Sequence, residues 1–348
     1  MALASHTPAT WDNILSTTMH NYHETLTDNI FNQRPLLQYL MGAGRVKECD
    51  GGVSIVEPVL YAEGDSDSYA EWDQVTVTPK NTVSAAQYDW KQLYATIAIS
   101  GLEEAQNSGK EQMINLLEAK IEQAEQTLRN RLNGMAFGTY ASSTPANDFL
   151  GLPVLIDSEG TVGGINSSVE TWWAAQEDTG AGVDAAGLEA KLRDLVHAAS
   201  DAGPDGTDAI FTNAYGFGFY ESTLTPQVRY TDQKKANLGF QNLLFKNIPV
   251  MWDFECSGGT EGTKATDSAT FYGLNSKYIG LKIHKDRNFK QSGFTENLAG
   301  SVASTATAGI GAASATGLDA RVSFITTYGN FVTRNRRRLW KLTGVTEA

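Results

Sequence analysis

The sequence lacks the apolar run of ~20 residues that a bilayer-crossing helix requires. Its opening, MALASHTPATWDN, has neither the basic nor the apolar stretch of a secretory signal, so a soluble protein made and used inside a cell, or released only when the cell bursts, is expected. Cysteine occurs only at Cys49 and Cys256, too few for a disulfide scaffold and in keeping with two thiols in a reducing compartment. Among the 5 histidines, His20 and His23 with Glu24 have the spacing of a helical metal pair. No cysteine or third histidine accompanies them, and His197 and His284 stand alone, so solvated histidines are the preferred reading. There is no phosphate-binding loop, nucleophile elbow, zinc-binding H-E-x-x-H or paired C-x-x-C. GFGFYE from Gly216 has the wrong spacing for a phosphate loop and no third glycine, and Asn166-Ser-Ser means nothing as a glycan acceptor without a signal. No fixed-period repeat is visible, which sets solenoids and propellers aside. No catalytic residue, cofactor or metal ligand is assigned.

The 348 residues suffice for one large or two medium domains, and 41% hydrophobic against 19% charged residues is too apolar for a disordered chain. The net charge of −13, from 27 basic and 40 acidic residues, weighs against a free nucleic-acid binder.

Trp11 to Met41 reads as helix, with Pro35 expected to break it into two pieces and Gly42 and Gly44 to end it. From Gly51 to Gly101 apolar residues alternate (Val53, Ile55, Val59, Tyr61; Val75, Val77; Tyr88, Trp90; Ala95, Ile97, Ile99), the period of strands. The polar EGDSDSYAEWDQ lies between them, so the stretch reads as one long hairpin arm, and Pro58 and Pro79 imply exposed edges. A lone hairpin is marginal in water, and the cover for its apolar residues is expected from a neighbouring subunit. From Glu103 to Phe137 a helix is expected, with Met113, Leu117, Ile121, Ala124, Leu128, Leu132 and Met135 as one apolar stripe. Its other faces are charged, with Glu125 and Arg129 as an i,i+4 pair.

An α/β alternation follows. Ala185–Ser200 is expected as helix with Leu188, Leu192, Leu195 and Val196 inward, residues 208–213 as a buried strand, and Tyr215 to Thr223 as a short helix. A strand is expected around Pro249 to Phe254, then strand, turn and strand across Gly273. Residues 299–317, almost wholly Ala, Gly, Ser and Thr, read as a surface loop, and RVSFITTYGNFVTRNRRRLWKLTGV as one long alternating strand.

Charge is segregated. Between Lys47 and Lys80 there is no basic residue but eight acids, including Glu63, Asp65, Asp67, Glu71 and Asp73 around Trp72. From Arg321 to Lys341 there is no acid, and Arg334, Arg336 and Arg338 would share one face of a strand. Solvated faces are the plain reading; the functional one is an acidic arm tip laid on a basic strand of a neighbour. Nucleic-acid binding by RNRRR is a third, on a short tract.

The order of arm, hairpin, long helix, α/β region and terminal strand resembles the Hong Kong 97-type fold of tailed-phage major capsid proteins. DGGVSIVEPVLYAEGD with VSAAQYDWKQLYATIAISG is similar to that family's extended loop, and EEAQNSGKEQMINLLEAKIEQAEQTLRNRLNGMAFG to its spine helix. DAIFTNAYGFGFYES, LLFKNIPVMWDFE and ATFYGLNSKYIGLKIHKDRN are similar to the strand–helix, the G-x-P-V-like strand and the hairpin of its axial domain, with Asn247-Ile248 replacing the usual glycine approach to Pro249. The resemblance implies an α+β fold: an N-terminal arm (1–50), an extended loop (51–100), a peripheral domain with the spine helix (101–185), an axial domain (186–318) and a terminal strand returning to the peripheral domain (319–348). It implies a non-enzymatic subunit of a virion shell, assembled in the host cytoplasm as hexamers and pentamers around double-stranded DNA that is held without sequence-specific contact. A separate scaffolding protein, a portal, a decoration protein and no membrane complete the expected partners. Some members crosslink through a loop lysine; Lys80 and Lys91 stand in that region, with no partner residues identified. The rival readings are an encapsulin-type nanocompartment of the same fold, which terminase and portal genes nearby would exclude, and an α/β enzyme with a pocket in residues 186–290.

Overall fold

The computed structural model describes residues 34–75, 78–106, 116–140, 144–200, 205–224, 243–258, 267–292, 295–299 and 317–347. The helix expected before residue 34, His20, His23 and Glu24, Met113 and the loop over 300–316 lie outside them. In chain order the elements are helix α1 (Pro35–Gly42), strands β1 (Val46–Cys49), β2 (Ile55–Leu60), β3 (Val83–Tyr88) and β4 (Lys91–Ser100), then helices α2 (Gly101–Gln106) and α3 (Leu116–Ala136). After them come β5 (Thr161–Val162), β6 (Ile165–Asn166), β7 (Gln176–Thr179), helix α4 (Ala185–Ser200), β8 (Ala209–Thr212) and helix α5 (Ala214–Thr223). The chain closes with β9 (Leu243–Phe245), β10 (Ile248–Trp252), β11 (Ala269–Leu274), β12 (Ile279–His284), β13 (Lys290–Gln291), β14 (Thr295–Ala299), β15 (Gly317–Thr333) and β16 (Trp340–Val345). The mixture is that of the expected α+β class.

The chain divides into two compact units. The smaller contains residues 97–123 and 294–322 among others. There Ser100 and Glu103 form a capping box at the start of α2: the Ser100 hydroxyl accepts from the Glu103 N–H (3.1 Å) and the Glu103 carboxylate from the Ser100 N–H (3.2 Å). β14 runs antiparallel to the start of β15, from Thr295 opposite Val322 to Ala299 opposite Gly317.

The larger unit is built on a mixed sheet of order β7-β16-β11-β8-β10-β9. α4 spans the expected Ala185–Ser200, and Leu188, Leu192, Leu195 and Val196 are all buried against the sheet's Ile210, Val250, Phe271 and Leu342. α5 begins where Asn213 caps it, its side-chain oxygen accepting from the Gly216 N–H (2.9 Å). The β9–β10 connection is a two-residue hairpin in which Lys246 and Asn247 both have positive φ (48° and 69°), the demand of a type I′ turn that asparagine meets without glycine. α1 starts at Pro35, after a non-helical Arg34: proline opens this helix at a position whose N–H has no intrahelical partner anyway.

Two expectations need correction. The turn after β11 falls at 275–278, and Gly273 sits inside the strand opposite Trp340, where a Cβ would come within 1.9 Å of the indole. β11 and β12 do not form a hairpin with each other; β11 belongs to the sheet just described, while β12 pairs with β1 and β15 in a second one. The long terminal strand is likewise broken at a 3-10 turn over Arg336–Arg338, so β15 lies in the second sheet and β16 in the first.

The apolar stripe of α3 is buried at Ala124, Leu128, Leu132 and Met135. Residues 107–115, between α2 and α3, lie outside the description.

Candidate intersubunit surface

The arm is narrower than its sequence pattern. β2 and β3 pair antiparallel over six residues, from Ile55 opposite Tyr88 to Leu60 opposite Val83. Between them, residues 61–75 and 78–82 form no strand, and β4 pairs with β15, so it is not the arm's return strand. One face of the ribbon carries Ile55, Val59, Ala86 and Tyr88, all buried by the same chain. The Tyr88 hydroxyl donates to the Thr333 carbonyl (2.8 Å), the Gln87 N–H donates to the Gly163 carbonyl (2.9 Å), and Tyr61 stacks on Trp172 at 5.0 Å between centroids. The expected cover for the arm thus comes, on this face, from its own subunit. Gly163, with φ +63° and space for no Cβ beside Ala86, permits that approach.

A buried charge locks the base. Glu57 is 1% exposed, and its two oxygens meet Lys282 Nζ (2.8 Å) and Arg334 Nε (2.6 Å). Burial alone would raise its pKa, but hydrogen bonds and charge from Lys282 and Arg334 outweigh this and hold the carboxyl below its usual range.

The opposite face of the ribbon exposes Val56, Leu60 and Val83. Beyond it the tip presents Glu63, Asp67, Glu71 and Asp73 to solvent together with Tyr69, Val75 and Trp72, the last 92% exposed. Asp73 accepts from the Ala70 N–H (2.9 Å), closing a turn around Trp72. Asp65 is ion-paired with Lys80 across the tip, and that hydrogen bond lowers its pKa. Among the described residues this exposed indole has no ring or hydrogen-bond partner; burying it would gain on the order of 2–3 kcal/mol.

The basic tract behaves differently from its sequence spacing. Arg334, Arg336 and Arg338 do not share a strand face, because the strand ends at Thr333. Arg336 is fully buried and donates to the carbonyls of Leu155 (2.9 Å) and Asp157 (2.6 Å). Arg338 donates to the carbonyls of Ala199 and Ser200, and Arg334 is half-exposed beside Glu57. The neighbouring Lys341, also buried, meets Glu177 at 3.3 Å. Of the three arginines, Arg336 is therefore removed from any surface.

Sequence reasoning missed a groove of about 390 Å³ formed where β4, β13 and β15 come together. Its aromatic lining is Tyr94, Phe324 and Tyr328, and its cations are Arg287 and Lys290; among the described residues no carboxylate lines it. Tyr94 and Phe324 meet edge to face at 6.4 Å, and the Arg287 guanidinium lies 5.3 Å from the Tyr328 ring centroid. Pairing of Lys290 with Thr326 and of Gln291 with Ile325 assembles the site. Tyr94 comes 193 positions before Arg287, and Phe324 a further 37 after it, so no local pattern announces the groove.

Among the described residues no group of three histidine, cysteine or acidic side chains is placed to hold a metal. Both thiols are free; His197 meets Lys246 at 2.9 Å, and His284 packs on Trp90. The Lys91 ammonium donates to the Ala146 carbonyl at 2.5 Å.

No family model and no curated protein matches the sequence. Solved structures do. The chain is similar to a chain of the cyanophage A-1(L) capsid asymmetric unit, at 15% identity and a TM-score of 0.62 over 95% of this chain and 98% of that one. It is similar to a capsid chain of the native GTA particle, at 11% identity and a TM-score of 0.63 over 99% and 100%. It also matches a chain of Mycobacterium phage Bobi, at 13% identity and a TM-score of 0.55 over 98% and 99%. The fold is that of these capsid chains over nearly the whole length, the α+β fold the sequence resemblance implied.

Proposed function

We propose that this protein is a shell subunit, the major capsid protein of a tailed phage, and that copies of it assemble as hexamers and pentamers into an icosahedral shell around double-stranded DNA. The observation that carries the reading is the end-to-end match to capsid chains of cyanophage and GTA particles. The arm supports it independently. Its base is anchored in its own subunit, and its tip exposes Trp72 among acids, the design of an element finished by a neighbour. In this reading Glu63, Asp65, Asp67, Glu71, Trp72 and Asp73 contact the next subunit, where Arg287 and Lys290 flank an aromatic groove of opposite character. Arg334 and Arg338 remain candidates at the rim of such a contact.

The role is structural, not catalytic. The net charge of −13 suits a shell that encloses DNA without gripping particular sequences. A separate scaffolding protein, a portal and a decoration protein are its proposed partners, the host cytoplasm its place of assembly and the virion its destination. Electron microscopy of the protein expressed alone and with its neighbouring genes tests the reading. Closed shells or capsomers are expected; a chain that stays monomeric in every combination would overturn it.

A further inference from the structure

Asp253 follows β10 directly, where its N–H donates to the Thr212 carbonyl (2.9 Å) and its side chain is 1% exposed. One carboxyl oxygen, Oδ1, accepts from Asn133 Nδ2 (3.0 Å) and from the Glu255 N–H (2.9 Å). The other, Oδ2, is buried without a partner, and so is Asn133 Oδ1, on a side chain that is 0% exposed. Two orphaned acceptors on one bonded pair are costly, since each gives up its water with no bond in return. Flipping the amide does not help, since it would set oxygen against oxygen. One proton on the carboxyl satisfies both.

The charges around the pair point the same way. Glu255 shares the site and accepts from the Thr139 hydroxyl (3.0 Å), and the buried Cys256 thiol adds no cation. The facing cation is Arg34, whose guanidinium is already engaged by Asn130 Oδ1 (3.1 and 2.7 Å) and lies 3.7 Å from Glu255. One guanidinium thus serves two carboxyls, and it stands closer to Glu255.

We propose that Asp253 is held as a neutral carboxylic acid at neutral pH and donates from Oδ2 to Asn133 Oδ1, so that acid and amide close a two-bond ring clamping α3 to the end of β10. Burial, the largest influence, raises the Asp253 pKa, and the charge of Glu255 acts with it; the bonds from the Glu255 N–H and Asn133 and the charge of Arg34 oppose them without prevailing. The clamp is pH-sensitive in one direction. An acid whose folded pKa is raised stabilises the fold most when protonated, and that stability is lost as pH rises through the folded pKa. Loss of the proton converts the Oδ2–H···Oδ1 bond into two facing acceptors and leaves the Asn133 Nδ2–H···Oδ1 bond alone to join α3 to the sheet end.

Asp253→Asn tests the clamp, because an amide there reproduces both bonds without a titrating proton. Between the ordinary aspartate value of about 3.9 and the folded pKa, the wild-type unfolding constant should rise by up to tenfold per pH unit relative to that of the variant. A relative slope of zero or of opposite sign, the mark of an ionised Asp253 paired with Arg34, would overturn the proposal. Infrared spectroscopy of the wild type gives a reading that needs no variant. A protonated-carboxyl band at pH 7 that shifts on isotopic labelling of aspartate is expected, and its absence counts equally against the clamp.

Discussion

Arg336 is the residue whose role is least visible in its surroundings in sequence. In RNRRR it stands among three other arginines, yet it alone is fully buried, because the 3-10 turn over 336–338 presents its guanidinium to the carbonyls of Leu155 and Asp157. Removing the donor strands those carbonyls, so Arg336→Met should destabilise the subunit by about 3 kcal/mol, read as a lowered urea midpoint with little change in m. Reversing its charge would test folding and not any contact. Glu57 gives a second prediction at this scale. Its pKa is depressed in the fold, so its contribution is present above the unfolded glutamate value of about 4.3 and lost as pH falls through the folded value. Wild type should therefore lose stability on acidification below about pH 4 more steeply than Glu57→Gln. Equal slopes in thermal melts at pH 3 and pH 6 would show that Lys282 and Arg334 do not hold Glu57 ionised.

Among the elements, those with a strong local period were legible to the residue. α4 begins and ends where its apolar spacing says, because four leucine and valine side chains on one stripe have a single way to reach a sheet. Strands were legible as strands, but their partners were not. β11 and β12 are adjacent in sequence and turn-linked, the usual mark of a hairpin, yet each pairs elsewhere because Gly273 makes room for Trp340 on the strand that returns from the C-terminus. Trp340 is buried and donates from Nε1 to the Thr207 hydroxyl (2.8 Å). Gly273→Ala should cost about 3 kcal/mol or more and lower the folded yield, as measured by soluble fraction and thermal midpoint. An unchanged midpoint would mean that the β11–β16 register is soft.

For the whole molecule, the segregation of charge matters most. The acidic tip and the cationic, aromatic groove stand on one chain, and the proposed shell would bring them together between chains. Assembly should then weaken between low and high salt, since the rim charges are exposed and screened within about 8–10 Å. Arg287→Glu with Lys290→Glu should reduce assembly while leaving the subunit folded, and Glu71→Lys with Asp73→Lys in the same chain should partly restore it, both scored by light scattering. Normal assembly of the groove variant at low salt would remove the groove from the contact.

The sequence by itself determined the amphipathic helix over Leu116–Ala136, the acidic arm and the lack of catalytic motifs, because periodicity, composition and charge runs are local properties that survive in any arrangement, and its resemblance to a known family implied the class of fold. Only the tertiary structure decided which charges are free. Burial and pairing depend on residues brought together across the chain: Glu57 with Lys282 and Arg334, Arg336 with the carbonyls near residue 155, and Asp253 with Asn133. A run of arginines has the same sequence whether it faces solvent or the core, and the difference is the desolvation that the fold imposes.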